Sequence, residues 1–434
     1  MKYTHSYSAG NSGLQLRPDT LETSLYLVGL MHEIEESGTS NVFNIGIGGS
    51  IISEPVIDGD TAYFGACDKN FYAVSLDDGR EQWRVQCGAA ATNASISDGV
   101  LYFGSYDQNL YAVDVEGNFL WKFRTNGKIF SKPLVHKDAI YFGSSDGCLY
   151  AVSKSGQLLW KYKTMGPLAS DPMVHKDSIY FGSFDGILYS LGLDGALKWK
   201  FATQHLAGSP AADKDRVLFG SFDSNFYCLD TQGSLLWKFR TNDTVYHRRP
   251  VVHGGIVYFP CRDGHLYALG LDGKLSWKFR TGSHVGASPV IGDAIYFGSI
   301  DGNFYCLDFS GKLKWKFAAK GPILNRAALQ GDKIVFGSYD CNLYCLSTDG
   351  KLLWKFPTRL SHISPIIIEK RAEMAATLEV SWKPEELRHE EMYRNKVQEI
   401  SGLSQYGVFN SGYITKDSYV SESGKHYIQK KRWK

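Results

Sequence analysis

Residues Ser131 to Thr164 read SKPLVHKDAIYFGSSDGCLYAVSKSGQLLWKYKT. Four short apolar runs stand out: Leu134-Val135 after a Ser/Pro pair, Ala139-Ile-Tyr-Phe142, Leu149-Tyr-Ala-Val152 and Leu158-Leu-Trp-Lys-Tyr162. Runs this short, rich in β-branched and aromatic residues and bounded by Gly, Asp and Ser, point to strands. Between the second and third runs sits Asp146-Gly147. A tight hairpin needs a positive φ there, which Gly or Asn tolerates.

The same stretch recurs along the chain. Trp83, Trp121, Trp160, Trp199, Trp237, Trp277, Trp315 and Trp354 follow one another at spacings of 38, 39, 39, 38, 40, 38 and 39 residues. Trp382 and Trp433 lie outside the series. A four-stranded unit of about 40 residues cannot bury its own apolar face, and stacking such units face to face gives propeller blades. The expected fold is therefore all-β: an eight-bladed β-propeller of four-stranded antiparallel blades over residues 41–368. Residues 1–40 and 369–434 are expected to form short helical N- and C-terminal extensions.

The regular positions read as architecture. The tryptophans are large enough to bridge neighbouring blades. Gly65, Gly104, Gly143, Gly182, Gly220, Gly298 and Gly337 would permit close approach, with Pro260 in their place in the sixth unit. Cys228, Cys306 and Cys345 stand where Ala73, Ala112, Ala151 and Ala268 stand elsewhere, as small apolar core residues. Eight turn aspartates (Asp68, Asp107, Asp146, Asp185, Asp223, Asp263, Asp301, Asp340) resemble a ring of metal ligands. Their fixed place in a turn argues for local backbone hydrogen bonds instead.

Bulk properties narrow the function classes. The 434 residues carry a net charge of +2, so broad attraction to nucleic acid or an acidic membrane is not expected. The start, MKYTHSYSAGNSG, has no signal-peptide pattern, and no cysteine precedes Cys67. The apolar stretch Leu25–Met31 is too short to cross a bilayer. The cytoplasm is the expected compartment. The eight cysteines show no zinc-ligand spacing, so no metal is expected.

The repeat resembles the PQQ-like (pyrroloquinoline-quinone-type) β-propeller family. The resemblance rests on Ser-Pro, then Tyr-Phe-Gly-Ser-x-Asp-Gly-x-Leu-Tyr-Ala-Leu, then Gly-x-Leu-x-Trp, as seen in residues 131–160 and 288–315. The Gly-His and Trp-Asp pairs of WD40 propellers do not recur. Family members include quinone-dependent dehydrogenases, an outer-membrane assembly lipoprotein, and propellers attached to kinases or adenylating enzymes. The dehydrogenases carry adjacent cysteines and long insertions. This chain has no Cys-Cys pair and units of near-constant length, so quinone chemistry and a cofactor are not expected. No GxSxG, HExxH or P-loop motif appears, and Gly46-Ile47-Gly48-Gly49 reads as the entry turn to the first blade.

A site is sought where the units disagree. Most first strands begin with Ser-x-Pro or Ser-Pro. The second unit instead has Asn93-Ala94-Ser95, the sixth Tyr246-His247-Arg248-Arg249-Pro250 and the eighth Asn325-Arg326-Ala327. Matching positions elsewhere hold Glu54, Lys132 and Asp171. First strands line the channel of a propeller, so Asn93, Lys132, Arg248, Arg249 and Arg326 are the candidate ligand-binding residues at its mouth. Their donor surplus suits a small anionic ligand or a peptide carboxylate. Alternatively these charges satisfy Glu54 and Asp171 across the channel. His247 and Cys261 lie nearby in sequence without forming a recognisable nucleophile–base pair.

The ends add surplus elements. Residues 19–37 and 385–400 carry helix start and stop signals. The segment 41–48 aligns with a fourth strand in which Phe43 replaces the tryptophan, and Ser364-Pro365 opens a ninth first strand. The order of pairing at the termini stays open. The tail carries Tyr406, Tyr413, Tyr419 and Tyr427 before ending in Gln-Lys-Lys-Arg-Trp-Lys. Together these features give the expected function: a non-catalytic binding scaffold that holds a protein partner. The alternative is a small-ligand- or quinone-binding propeller that uses the channel mouth, as in the quinone-dependent oxidoreductases.

Overall fold

In the computed structural model, the described residues are 43–45, 49–246, 248–358 and 366–368. They form eight four-stranded antiparallel sheets, each built from one contiguous stretch of chain in simple sequential order. The third blade shows the pattern with strands Leu134–His136, Ala139–Gly143, Cys148–Ser153 and Leu158–Lys163. The first strands of neighbouring blades approach one another, which makes them the innermost. The eight-bladed all-β ring expected from the repeat is what forms. The helices expected at 19–37 and 385–400 lie outside the described residues.

Each tryptophan has two structural tasks. In the third blade the Trp160 Nε1–H donates to the Leu193 carbonyl of the fourth blade at 3.0 Å. The same bond is made by all eight, and Trp354 closes the series by donating to Leu76 of the first blade at 2.9 Å. Each indole also lies flat on a glycine of the next blade's third-to-fourth turn. Gly156, at φ +83°, shows why: a Cβ there would meet Trp121 at 2.8 Å. Sequence reading found the tryptophans but missed this second set of glycines. The expected set behaves as read. Gly143, for example, lies so close to Leu168 of the next blade that a Cβ would come within 2.7 Å.

Within a blade, aromatic rings stack across strands, as Phe142 does on Tyr150 with centroids 5.4 Å apart. The residue paired with each tryptophan is small and fully buried, whether Ala151 or Cys228. A register shift follows that pair in every blade. Such a bulge adds local twist to the outer strand.

The seam between the eighth and first blades is closed without strand exchange. Ile51, Phe64, Tyr72 and Val74 share one core with Val335, Leu343, Cys345 and Trp354. The two surplus strands, Phe43–Ile45 and Ile366–Ile368, pair antiparallel with each other and leave both terminal blades complete.

Candidate functional site

Antiparallel order fixes which ends of the strands share a face. The starts of the first strands and the turns between second and third strands lie on one face. The starts of the fourth strands lie on the other. The candidate residues precede or open first strands, so they gather where the channel opens on the first face.

They meet across the channel, often skipping a blade. Lys132 Nζ of the third blade lies 3.5 Å from Glu54 Oε2 of the first. Arg249 of the sixth blade donates to the Asp171 and Pro172 carbonyls of the fourth at 3.2 and 2.8 Å. Arg248 donates to Asn325 Oδ1 of the eighth blade at 3.2 Å. Neighbouring blades are tied as well: the Lys132 N–H donates to Asp171 Oδ1 at 2.7 Å, and the Asp171 N–H to Ser209 Oγ at 2.9 Å.

Asn93 stands apart from the rest of the candidate set. Its side-chain oxygen accepts the Glu54 N–H at 2.7 Å and it is 5 % exposed, so it joins the first and second blades. Asn325 has the same kind of role, donating to the Ile51 carbonyl across the seam at 3.2 Å. Lys132, Arg248, Arg249 and Arg326 remain as a cationic group around Glu54 and Asp171.

The electrostatics follow from this crowding. Burial pushes the Glu54 carboxyl up, but Lys132, Arg326, Arg248 and Arg249 together outweigh it and hold it below its ordinary range. Asp171 is held above its ordinary range by burial and then by Glu54, against Arg249 and Lys132. Burial also lowers the Arg249 guanidinium, although Asp171 and Glu54 oppose that. Mutual pairing therefore accounts for part of the cluster. It leaves four cations against two carboxylates, with the Nε–H groups of Arg248 and Arg326 buried and without partners.

The turn aspartates serve the architecture. Asp146 accepts the Tyr150 hydroxyl at 2.7 Å and the Cys148 N–H at 2.9 Å, and it also holds the Asn126 N–H of the incoming link at 3.0 Å. Where the turn residue at positive φ is not glycine, as at Gln108, an asparagine follows and ties back to the aspartate: Asn109 Nδ2 to Asp107 Oδ1, 3.0 Å. No group of His, Cys, Asp and Glu arranged to hold a metal occurs among the described residues. Cys261 takes the place of a repeat serine, its thiol turned to the Asp243 and Thr244 carbonyls and pushed well up by burial. His247 lies outside the described residues. His284, which sequence reading did not select, is half-buried beside Arg262 with its Nδ1 enclosed and unpartnered. Burial and then the Arg262 charge bring its pKa down to about 4, so it is neutral at physiological pH. Its only sequence signal is a histidine where other links have Lys128, Pro167 or Pro322.

The opposite face carries a different feature. At the start of the fourth strands, Phe119, Leu120, Leu158, Leu159, Leu197, Leu235, Leu236, Leu275, Leu313, Leu352 and Leu353 are between 40 and 54 % exposed. The belt covers seven blades and stops at the first, which has Glu81-Gln82 instead. A cleft of about 550 Å³ opens between the outer strands of the first two blades, toward the first face, lined by Gln86, Gly88, Asp107, Asn109 and Arg124 among others. Of its lining, Asp107 is already occupied by Tyr111 and the Gly88 N–H.

A closed ring of eight sequential four-stranded blades defines an eight-bladed β-propeller. The chain belongs to the PQQ-like β-propeller repeat family: the sequence profile of the outer membrane protein assembly factor BamB matches residues 72–200 and 184–293, together more than half of it. A second profile, the λ-carrageenase β-propeller domain, matches residues 290–375. No curated protein matches in sequence. Among solved structures, the computationally designed Ika8 protein superposes with a TM-score of 0.63 at 16 % identity, covering 71 % of this chain and all of that one. BamB from Moraxella catarrhalis gives 0.57 at 18 % identity, covering 69 % of this chain and 92 % of that one. At these identities the likeness is one of fold.

Proposed function

We propose that this chain is a non-catalytic scaffold that holds a protein partner on its propeller ring. The observation that carries the reading is the apolar belt on the outer edge of seven blades. Exposed apolar side chains repeated at one level around a ring are what a protein interface can cover. The family profile, which describes an assembly factor, supports the same reading. The cytoplasm is the compartment proposed, in keeping with eight cysteines that are all free thiols.

The test replaces Leu158, Leu159, Leu235 and Leu236 together by serine. These side chains are about half exposed, so the circular dichroism of the ring should not change. Cross-linked capture from the source lysate should yield a stoichiometric partner with the wild type and lose it with the variant. A partner that the variant retains in full, or no stoichiometric partner at all, would overturn the reading.

A further inference from the structure

We propose that the channel mouth is a binding site for a small, doubly charged oxyanion, held by Lys132, Arg248, Arg249 and Arg326. Four cations, Lys132, Arg248, Arg249 and Arg326, converge there on Glu54, and Asp171 lies beside it. The four side chains are half-buried, and their surplus of two positive charges over the two carboxylates is what a dianion would neutralise.

The hydrogen-bonding geometry points the same way. Glu54 is engaged by Lys132, and Arg249 is engaged by two backbone carbonyls of the fourth blade. Arg248 uses one terminal nitrogen on Asn325. Its Nε–H, and that of Arg326, are enclosed with nothing to donate to. A guanidinium presents its Nε–H and one terminal N–H as a parallel pair, which a carboxylate, sulfate or phosphate accepts in bidentate fashion. Two such pairs from the sixth and eighth blades, with Lys132 from the third, would surround one anion. The units supplying Arg248 and Arg326 are among those that depart from the repeat consensus.

This site is independent of partner capture at the outer edge, which lies on the opposite face. The experiment is isothermal titration of the full chain with sulfate and, separately, with succinate, at ionic strength matched with chloride. Saturable binding of one of them is expected. Sulfate alone would indicate a tetrahedral, phosphate-like ligand; succinate alone, or more tightly, would indicate a dicarboxylate. R326Q should weaken binding by at least about tenfold, the value of one charge-assisted hydrogen bond. It leaves the fold intact because the Arg326 side chain makes none of the ties between blades. Should R326Q fold poorly, R248K, which keeps the charge but loses the bidentate fork, gives the same comparison. Neither anion binding above the chloride baseline, or R326Q binding as tightly as the wild type, would overturn the proposal.

Discussion

Trp354 is the side chain on which closure of the ring rests. Elsewhere, neighbouring blades are joined by the chain itself, but the eighth and first blades are held by non-covalent contacts alone, among them the Ile51 N–H to the Ser338 carbonyl at 3.3 Å and the pairing of Phe43–Ile45 with Ile366–Ile368. Trp354 is 8 % exposed, lies on Gly79 and donates to the Leu76 carbonyl at 2.9 Å. Other seam contacts are single hydrogen bonds, buried ones from Asn325 Nδ2 to the Ile51 carbonyl at 3.2 Å and from Thr358 Oγ1 to the Gly49 carbonyl at 2.7 Å, and surface ones from Gln330 Nε2 to the Gly59 carbonyl at 2.7 Å and between Lys333 and Asp77 at 2.5 Å. Exposed contacts of that kind contribute about 1 kcal/mol or less each. Removing a buried tryptophan costs about 3–5 kcal/mol, which includes the cavity left behind. Trp354→Ala should therefore open the seam before the rest of the ring unfolds. Hydrogen exchange in Thr61–Gly65, Asn70–Ser75, Lys333–Gly337 and Asn342–Ser347 should accelerate on the order of a hundred- to a thousandfold, while the blades between keep their protection. Trp160→Ala removes the same contact between blades that stay covalently linked, and it should not produce this selective exposure. Identical exchange patterns in the two variants would refute the reasoning.

Gly156→Ala should destabilise the ring by about 1–3 kcal/mol in urea unfolding, since φ is +83° and the new methyl would press on Trp121. Asp146→Ala removes the acceptor of three donors and should cost about 2–4 kcal/mol, whereas a chelator should leave the wild-type melting temperature unchanged. Sulfate affinity should rise as pH falls from neutrality. Asp171, with its pKa raised, takes up a proton first, while Glu54, with its pKa lowered, stays ionised and the sulfate charge is constant. Asp171→Asn should flatten that dependence in titrations across the acid range. For stability the sign is the same: the Asp171 contribution is complete below its unfolded pKa and is lost as pH rises through the folded value.

The blade count, strand order and core positions were legible because each is written eight times. One tryptophan per unit would have been weak evidence, but eight at near-constant spacing leave few folds open. The turn glycines that receive the indoles were missed for a geometric reason. Gly156 belongs to a hairpin by sequence, and its contact with Trp121 exists only once two blades are stacked. The surplus strands were legible as strands, but their pairing was not, since Phe43–Ile45 and Ile366–Ile368 are joined across the whole ring.

The candidate site was partly legible for a related reason. Departure from consensus identifies a position released from the common role, but it does not say what the new side chain does. Asn93 and Arg326 both depart from it, yet Asn93 turns to a backbone N–H in the next blade and Arg326 keeps a buried donor unspent. The difference lies in whether a partner stands within reach. Glu54 offers its N–H to Asn93, while its carboxylate is shared among four cations. In a ring whose repeated polar groups are mostly taken up by contacts within and between blades, the unspent guanidinium donors of Arg248 and Arg326 mark where the proposed ligand would compete. They sit at the channel mouth, on the face opposite the apolar belt. A partner held on the belt would leave that mouth open, so the two proposed sites would not exclude one another.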